Sequence, residues 1–412
     1  MNKQIIRNFI NLLVSGAFVQ IIPLLMIPLL TRYYDPLDYT VYSFFIACVV
    51  IASPFSSFRL EHLLVRIKDT TNTLEVTKSI SMIILFNSVP ISFIIFLVFS
   101  NFYPSFFRIE MLVIVYISLT SNVIFLLFNS FLAKNGEYSP LAIGRLIKGI
   151  GECFLALGYI FIFENIYFGL IIAYTLSSLI SILYMWKFST LKLKVKSNFT
   201  LIKPYFKDFL LNDVPAALLN SVILQLPILL LSVLVPGGFS GLYAMANRIC
   251  SAPSGLLNNS LGMIFRNQAA EELVSQSNFR SSFIKTFTIA LVFSLFLLCS
   301  LLFIPEYFWG YILGREWSEI GPIILVLAPL AAIRMISFPL SYSFYLAAKL
   351  RLNFIFQIFL LPYTFLSIYI PYVLNFSPEY IMQVYVIAMV FFYILYIFIL
   401  KKLSIITNRS VI

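Results

Sequence analysis

Four cations stand inside long apolar runs of this 412-residue chain: Arg145, Lys148, Arg248 and Arg334. A charge at the centre of a bilayer costs from about 2.5 to more than 10 kcal/mol, so such a residue normally faces a water-filled cavity or a partner. Arg145, Lys148 and Glu152 fall at i, i+3 and i+7, which at about 100° per residue places them within about 60° of one helix face. With Pro140 opening that helix, Arg145 lies about 8 Å along it and Glu152 about 18 Å along it. Arg248, Ser251, Gly255, Asn259, Gly262 and Arg266 share a second face, where small residues let helices approach and polar ones can line a cavity. Arg334 shares a third face with Ser337, Ser341 and Tyr345, and Asp213 and Asn220 lie seven residues apart beside Pro215, which can kink a membrane helix.

The cations outnumber the carboxylates at these positions, and a basic cavity in lipid calls for an anionic cargo. Guanidinium groups suit phosphate because two parallel hydrogen bonds can form at once. We therefore expect Arg145, Lys148, Arg248, Arg334 and Asn259 to bind cargo, and Glu152 or Asp213 to take up a coupling ion, proton or sodium. Blander roles stay open beside these. Arg145 and Lys148 can snorkel to headgroups, Glu152 can pair with Lys148 four residues back, Arg248 can hydrogen-bond between helices, and Asp213 can be a helix-end carboxylate near the cytoplasmic surface.

Other chemistries find no support. The four cysteines, Cys48, Cys153, Cys250 and Cys299, all lie in apolar runs without a CxxC pair, and His62 is the one histidine. Neither a disulfide framework nor a zinc site is expected, and no cofactor is implied. No P-loop is present, so transport would run on ion or substrate gradients. Asp35 and Asp38 could be offered as the carboxylates of a membrane glycosyltransferase or polymerase. Such enzymes need a sizeable external domain, whereas no external gap here exceeds about 16 residues; a turn at Asp35–Pro36 and a helix cap at Asp38 account for both.

The elements that must position these residues follow from composition. Hydrophobic residues make up 61% of the chain and charged ones only 11%, against about 25% charged in an ordinary soluble protein. The apolar runs are about 20 residues long and do not alternate, which specifies membrane-spanning helices and not a barrel. Bounded by charge or by Pro and Gly, they fall at about 9–30, 39–57, 79–100, 110–132, 141–163, 166–187, 209–235, 239–264, 283–304, 319–343, 353–374 and 379–400. The first is too long for a signal peptide and lacks a small-residue cleavage site, so it reads as an uncleaved span.

The net charge of +11 reflects topology and not nucleic-acid binding, because the basic residues collect in alternate gaps. With the N-terminus in the cytoplasm, 21 Lys and Arg lie inside and three, Arg32, Arg108 and Arg315, lie outside. Both termini are thus expected in the cytoplasm. The basic interval 188–208 divides the spans six and six, predicting an N-terminal bundle over 1–188, a cytoplasmic linker over 189–208 and a C-terminal bundle over 209–412.

The segment PAALLNSVILQLPILLLSVLVPGGFSGLYAMANRICSAPSGLLNN (215–259), with GLYAMANRI at 241–249, resembles the seventh and eighth spans of bacterial polysaccharide flippases. These are the O-antigen and capsule repeat-unit exporters of the superfamily that includes multidrug-and-toxin extruders. QIIPLLMIPLLTRYYDPLDYTVYSFF (20–45) and FRLEHLLV (58–65) are similar to the family's start, with Thr40 where a glycine is expected. The resemblance implies an all-α membrane protein of about twelve transmembrane helices in two six-helix bundles, MATE-like, in the bacterial inner membrane. It also implies a flippase for undecaprenyl-diphosphate-linked oligosaccharide, with alternating access and a cationic central cavity in which Arg248 is a cavity residue. The competing expectation within the superfamily is an ion-coupled multidrug antiporter, whose cationic cargo would call for a net acidic cavity.

Overall fold

The computed structural model describes residues 22–67, 69–106, 108–163, 168–190 and 196–405. Among them the chain is helical, with no strand. Lipid offers the backbone no hydrogen-bond partner, so each crossing segment satisfies its N–H and C=O groups within its own helix. Buried and half-buried serines and threonines do the same. Thr77, Ser81 and Ser53 donate to the carbonyls four residues before them, at 2.7, 2.9 and 2.7 Å.

Residues 22–30 are helical. There follow α1 (Pro36–Ser57), α2 (Thr70–Phe102), α3 (Ile109–Lys134), α4 (Tyr138–Ile162) and α5 (Gly169–Phe188). Then come α6 (Lys203–Asp208), a π-helical turn over Phe209–Asp213, α7 (Val214–Leu234), α8 (Phe239–Gln276) and α9 (Arg280–Phe303). The short α10 (Glu306–Leu313) and α12 (Ser343–Leu346) flank α11 (Ile320–Leu340), and α13 (Leu350–Val373) and α14 (Pro378–Ile405) follow.

Among the described residues nine helices are long and apolar enough to cross a membrane. The other three expected spans have separate reasons for not joining them. The first, 9–30, falls mostly outside the described residues. The fifth and eighth are present as α4, 25 residues, and α8, 38 residues, but they carry the polar faces identified above. The helices that fail the test of apolarity are thus two of those singled out for their charges.

The chain forms two compact units, residues 1–34 with 41–225 and residues 35–40 with 226–412. In the first, α4 and α5 pack through small residues. Gly144 lies under Met185, Gly151 lies against Ser177, and Ser181 Oγ donates to the Gly144 carbonyl at 2.6 Å. Tyr34, 1% exposed, donates its hydroxyl to Ala156 O at 2.9 Å over Gly169. Such close approach is how helices associate where there is no water to expel.

In the second unit Phe265, Phe279 and Phe283 meet edge to face in an apolar cluster with Leu340, Phe344 and Leu400. Glu272 of α8 closes the turn into α9, its two oxygens accepting from Ser281 N at 2.8 Å and Ser282 N at 2.7 Å. The Thr40 hydroxyl, standing where a glycine was expected, has a definite place in this unit. It accepts from Gly241 N in the first turn of α8 at 2.8 Å and donates to Pro36 O at 2.9 Å.

Candidate functional site

The first unit contains a cavity of about 520 Å³. Its walls carry Arg145, Lys148, Gly149 and Glu152 from α4, Phe125, Asn129 and Ser130 from α3, and Arg59, Glu61 and His62 from the turn after α1. The helical spacing that put Arg145, Lys148 and Glu152 on one face of α4 thus delivers all three to one cavity.

Each cation on α4 is held by a neutral amide. Arg145 Nε donates to Asn129 Oδ1 at 2.6 Å, and Lys148 Nζ donates to Asn122 Oδ1 at 3.0 Å. Asn122 is in turn fixed by donating to Ser53 Oγ at 3.1 Å. The Lys148 ammonium also lies over the rings of Phe125 and Tyr174, 4.3 and 5.0 Å from their centroids. Ring quadrupoles attract a cation without neutralising it. Amides and rings together therefore position the positive charge and leave it available to an anion. Glu152 Oε1 accepts from the Tyr42 hydroxyl at 2.6 Å, a bond across the first unit.

The third cation of this cavity, Arg59, is reached by unusual backbone. Phe58 and Arg59 are consecutive left-handed residues, φ 50° and 59°, a conformation that costs a residue with a Cβ of order 1 kcal/mol or more and concentrates at functional sites. The 3₁₀ turn Leu60–Arg66 then buries Glu61, 5% exposed, while its neighbour His62 is exposed. Glu61 Oε1 lies 3.8 Å from Arg59 Nη1 and 3.9 Å from His62 Nε2. The histidine is held below its ordinary range, first by partial loss of solvation beside the turn and then by the Arg59 charge, with Glu61 and Asp213 pulling the other way. Arg59, Glu61 and His62 fall in the family-like stretch FRLEHLLV and are not among the site residues expected from the sequence. The signal that could have found them is the clustering of three ionisable groups, RLEH, at the end of an apolar run.

The remaining expected residues are distributed as follows. Asp213 ends the exposed π-helical turn before α7, in the first unit, near enough to His62 to act on its charge. Arg248 is half-buried on α8 in the second unit, and the side chain of Asn259 lies outside the described residues. Arg334 on α11 donates from Nη2 to Tyr385 Oη at 3.3 Å and sits 5.6 Å from the centroid of the Tyr393 ring. A separate cavity of about 440 Å³ in the second unit is lined by Asn258, Gly262, Met263, Arg266, Phe338 and Tyr342, among others. The face of α8 read from the sequence therefore does border a cavity, at Gly262 and Arg266.

A family model described as polysaccharide biosynthesis protein matches residues 5–268. No curated protein matches the sequence. Among solved structures, the fold is similar to the lipid II flippase MurJ in an inward closed conformation, with a TM-score of 0.69 and 15% identity over 95% of this chain and 87% of that one. It is similar also to the inward-facing conformation of a multidrug resistance MATE family transporter of the MOP superfamily, with a TM-score of 0.59 and 14% identity over 97% and 96% of the two chains. A third likeness is to a MOP superfamily transporter from Pyrococcus furiosus whose binding pocket is described as having reverse polarity, with a TM-score of 0.54 and 13% identity over 96% and 95%. The all-helical, multi-pass membrane fold expected from the sequence is the fold of these proteins.

Proposed function

The chain belongs to the polysaccharide biosynthesis protein family, and from that membership we propose that it carries undecaprenyl-diphosphate-linked oligosaccharide repeat units across the bacterial inner membrane. The route is alternating access, both termini are cytoplasmic, and the product serves a surface polysaccharide such as O-antigen or capsule. One observation carries the reading: in the cavity of the first unit the cations Arg145 and Lys148 are hydrogen-bonded to neutral amides, and Arg59 adjoins them. A site built this way attracts a diphosphate, and a guanidinium beside an ammonium suits its adjacent anionic groups. The same balance of charge argues against the cationic cargo of a multidrug antiporter. Arg248 and Arg334 of the second unit are assigned to the cargo's anionic groups on the sequence argument alone.

The test is to replace Arg145 by Glu and follow lipid-linked oligosaccharide in a strain lacking the native protein. Surface polysaccharide, normalised to membrane-inserted protein, should fall at least tenfold, with lipid-linked units stranded on the cytoplasmic leaflet. Normal output per molecule from Arg145→Glu would remove the cavity from the transport path.

A further inference from the structure

Glu61 is the least exposed carboxylate on the wall of the cationic cavity, at 5%, and its Oε2 is buried with no hydrogen-bond partner among the described residues. Among the described residues its other oxygen has two long ion-pair contacts, 3.8 Å to Arg59 and 3.9 Å to His62, beyond hydrogen-bond reach. Arg59 is no better satisfied, because its Nε is also buried without a partner. Two opposite charges thus face each other across the cavity wall with bonding capacity left over on both. A carboxylate removed from water loses the solvation that stabilises its charge, and a nearby cation is what compensates.

We propose that Glu61 is a proton-uptake site coupled to anion binding at Arg59: when a phosphate group engages the Arg59 guanidinium, the Glu61 carboxylate takes a proton from cavity water onto its unpartnered oxygen. This rests on the anionic cargo proposed above. The step moves one proton from hydronium to a carboxylate, leaving water and a neutral carboxyl group, with no redox change. Two effects drive it in the same direction. The phosphate's negative charge cancels the field of Arg59, and that same charge lies near the carboxylate, where like charges disfavour ionisation. The new O–H becomes a donor where the ionised carboxylate presented only acceptors.

Charged and titratable groups surround Glu61 from several elements. Arg145, Lys148 and Glu152 of α4 share the cavity. From α3, Lys134 Nζ donates to Leu64 O within the same turn. From α2, Glu75 is engaged by Asn198 at 3.0 Å, and Lys78 is half-buried. Asp213 acts on His62 from the π-helical turn. Glu152 is a weaker candidate for the same role because Tyr42 already occupies one of its oxygens.

The experiment measures the affinity of detergent-purified full-length protein for undecaprenyl diphosphate, and separately for inorganic pyrophosphate, between pH 6 and 8. Uptake of one proton on binding makes affinity fall by up to about tenfold per pH unit, since the proton and the anion must favour each other by the same factor. The probes' own titration is common to every variant and cancels in the comparison. Glu61→Gln, which fixes a neutral side chain, should bind with a flatter pH profile than the wild type, and His62→Gln should keep the wild-type slope. Replacing sodium by choline should change nothing. Should Glu61→Gln fail to insert, Arg59→Gln serves instead, and its residual binding should show the same flattening. Equal slopes in wild type and Glu61→Gln, loss of the slope in His62→Gln, or binding that follows sodium in place of pH would each overturn the proposal. Pyrophosphate binding with the expected slope, but no binding of undecaprenyl diphosphate, would retain Glu61 and remove the lipid-linked cargo. Failure to bind either probe would overturn both.

Discussion

Lys148 offers a separation of folding from function that can be worked out in numbers. Its ammonium has three neighbours, the Asn122 amide at 3.0 Å and the rings of Phe125 and Tyr174 at 4.3 and 5.0 Å. In Lys148→Met the long apolar stem is kept and the aromatic contacts become sulfur–aromatic ones, so the local loss is mainly the hydrogen bond. Asn122 Oδ1 is then left without its donor, at a cost of about 1–3 kcal/mol. Against each anionic charge of a diphosphate about 5 Å away, the removed charge is worth about 3 kcal/mol at an effective dielectric of 20. Cavity water and counterions reduce that, leaving an expected loss of about tenfold to hundredfold in affinity. Lys148→Arg should recover most of it. Binding of undecaprenyl diphosphate by purified protein, with thermal unfolding in the same detergent as the control, reads the two effects apart. Unchanged affinity in a stably folded Lys148→Met protein would refute the claim that this charge is available to cargo.

Two further perturbations test the fold that carries the site. Glu272→Gln keeps one acceptor for the first turn of α9 but turns an amide toward the other backbone N–H, and should lower stability by about 2 kcal/mol. The Glu272 carboxyl is held below its usual range: burial opposes ionisation, but the hydrogen bonds from Ser281 and Ser282 and the charge of Lys285 outweigh it. A depressed carboxyl contributes stability above its unfolded value, near 4.3, that is lost as pH falls through the folded value. The wild-type advantage in melting temperature over Glu272→Gln should therefore be full at pH 7 and shrink below about pH 4; an advantage that persists at pH 3 would refute the assignment. Glycines give the second test. A Cβ on Gly241 would run into the Pro36 carbonyl and Thr40 backbone, whereas one on Gly262 would find its nearest neighbour, Pro339 Cα, at 3.8 Å. Folded yield in the membrane should collapse for Gly241→Ala and stay near wild type for Gly262→Ala, and equal yields would contradict the packing described.

What the sequence made legible was periodic or costly. The 100° spacing of Arg145, Lys148 and Glu152 gives them a shared face, and all three line one cavity. Span positions followed from the length of apolar runs, because lipid admits few alternatives to a helix of about 20 residues. What stayed illegible depended on partners distant in sequence. Nothing local to Lys148 indicates Asn122, 26 residues earlier, and nothing near Glu152 indicates Tyr42, 110 residues away. The left-handed backbone at Phe58 and Arg59 was equally hidden, since neither residue type announces it. Thr40 looked like a lapse from a family pattern, and only the position of Gly241 N, 201 residues on, explains its hydroxyl.

The chain holds the arginines and lysines of its spans in two physically different ways, and the difference bears on which of them can meet cargo. Arg145 and Lys148 are hydrogen-bonded to single amide oxygens at the edge of open space. An incoming phosphate need not displace a carboxylate to reach them. Arg334 is set instead among Tyr385, wholly buried, and Tyr393, 7% exposed, with its Nε unpartnered. A guanidinium set against phenol rings in this way is stabilised by their faces and one hydroxyl, which shield part of it from an incoming anion. For binding at Arg334 the cost of giving up contacts with the tyrosines would be subtracted from the gain of the ion contact, whereas no such cost attends Arg145. On this ground the first-unit cations are the ones expected to set initial affinity, and Arg334 is expected to matter most in a state of the second unit that exposes it further.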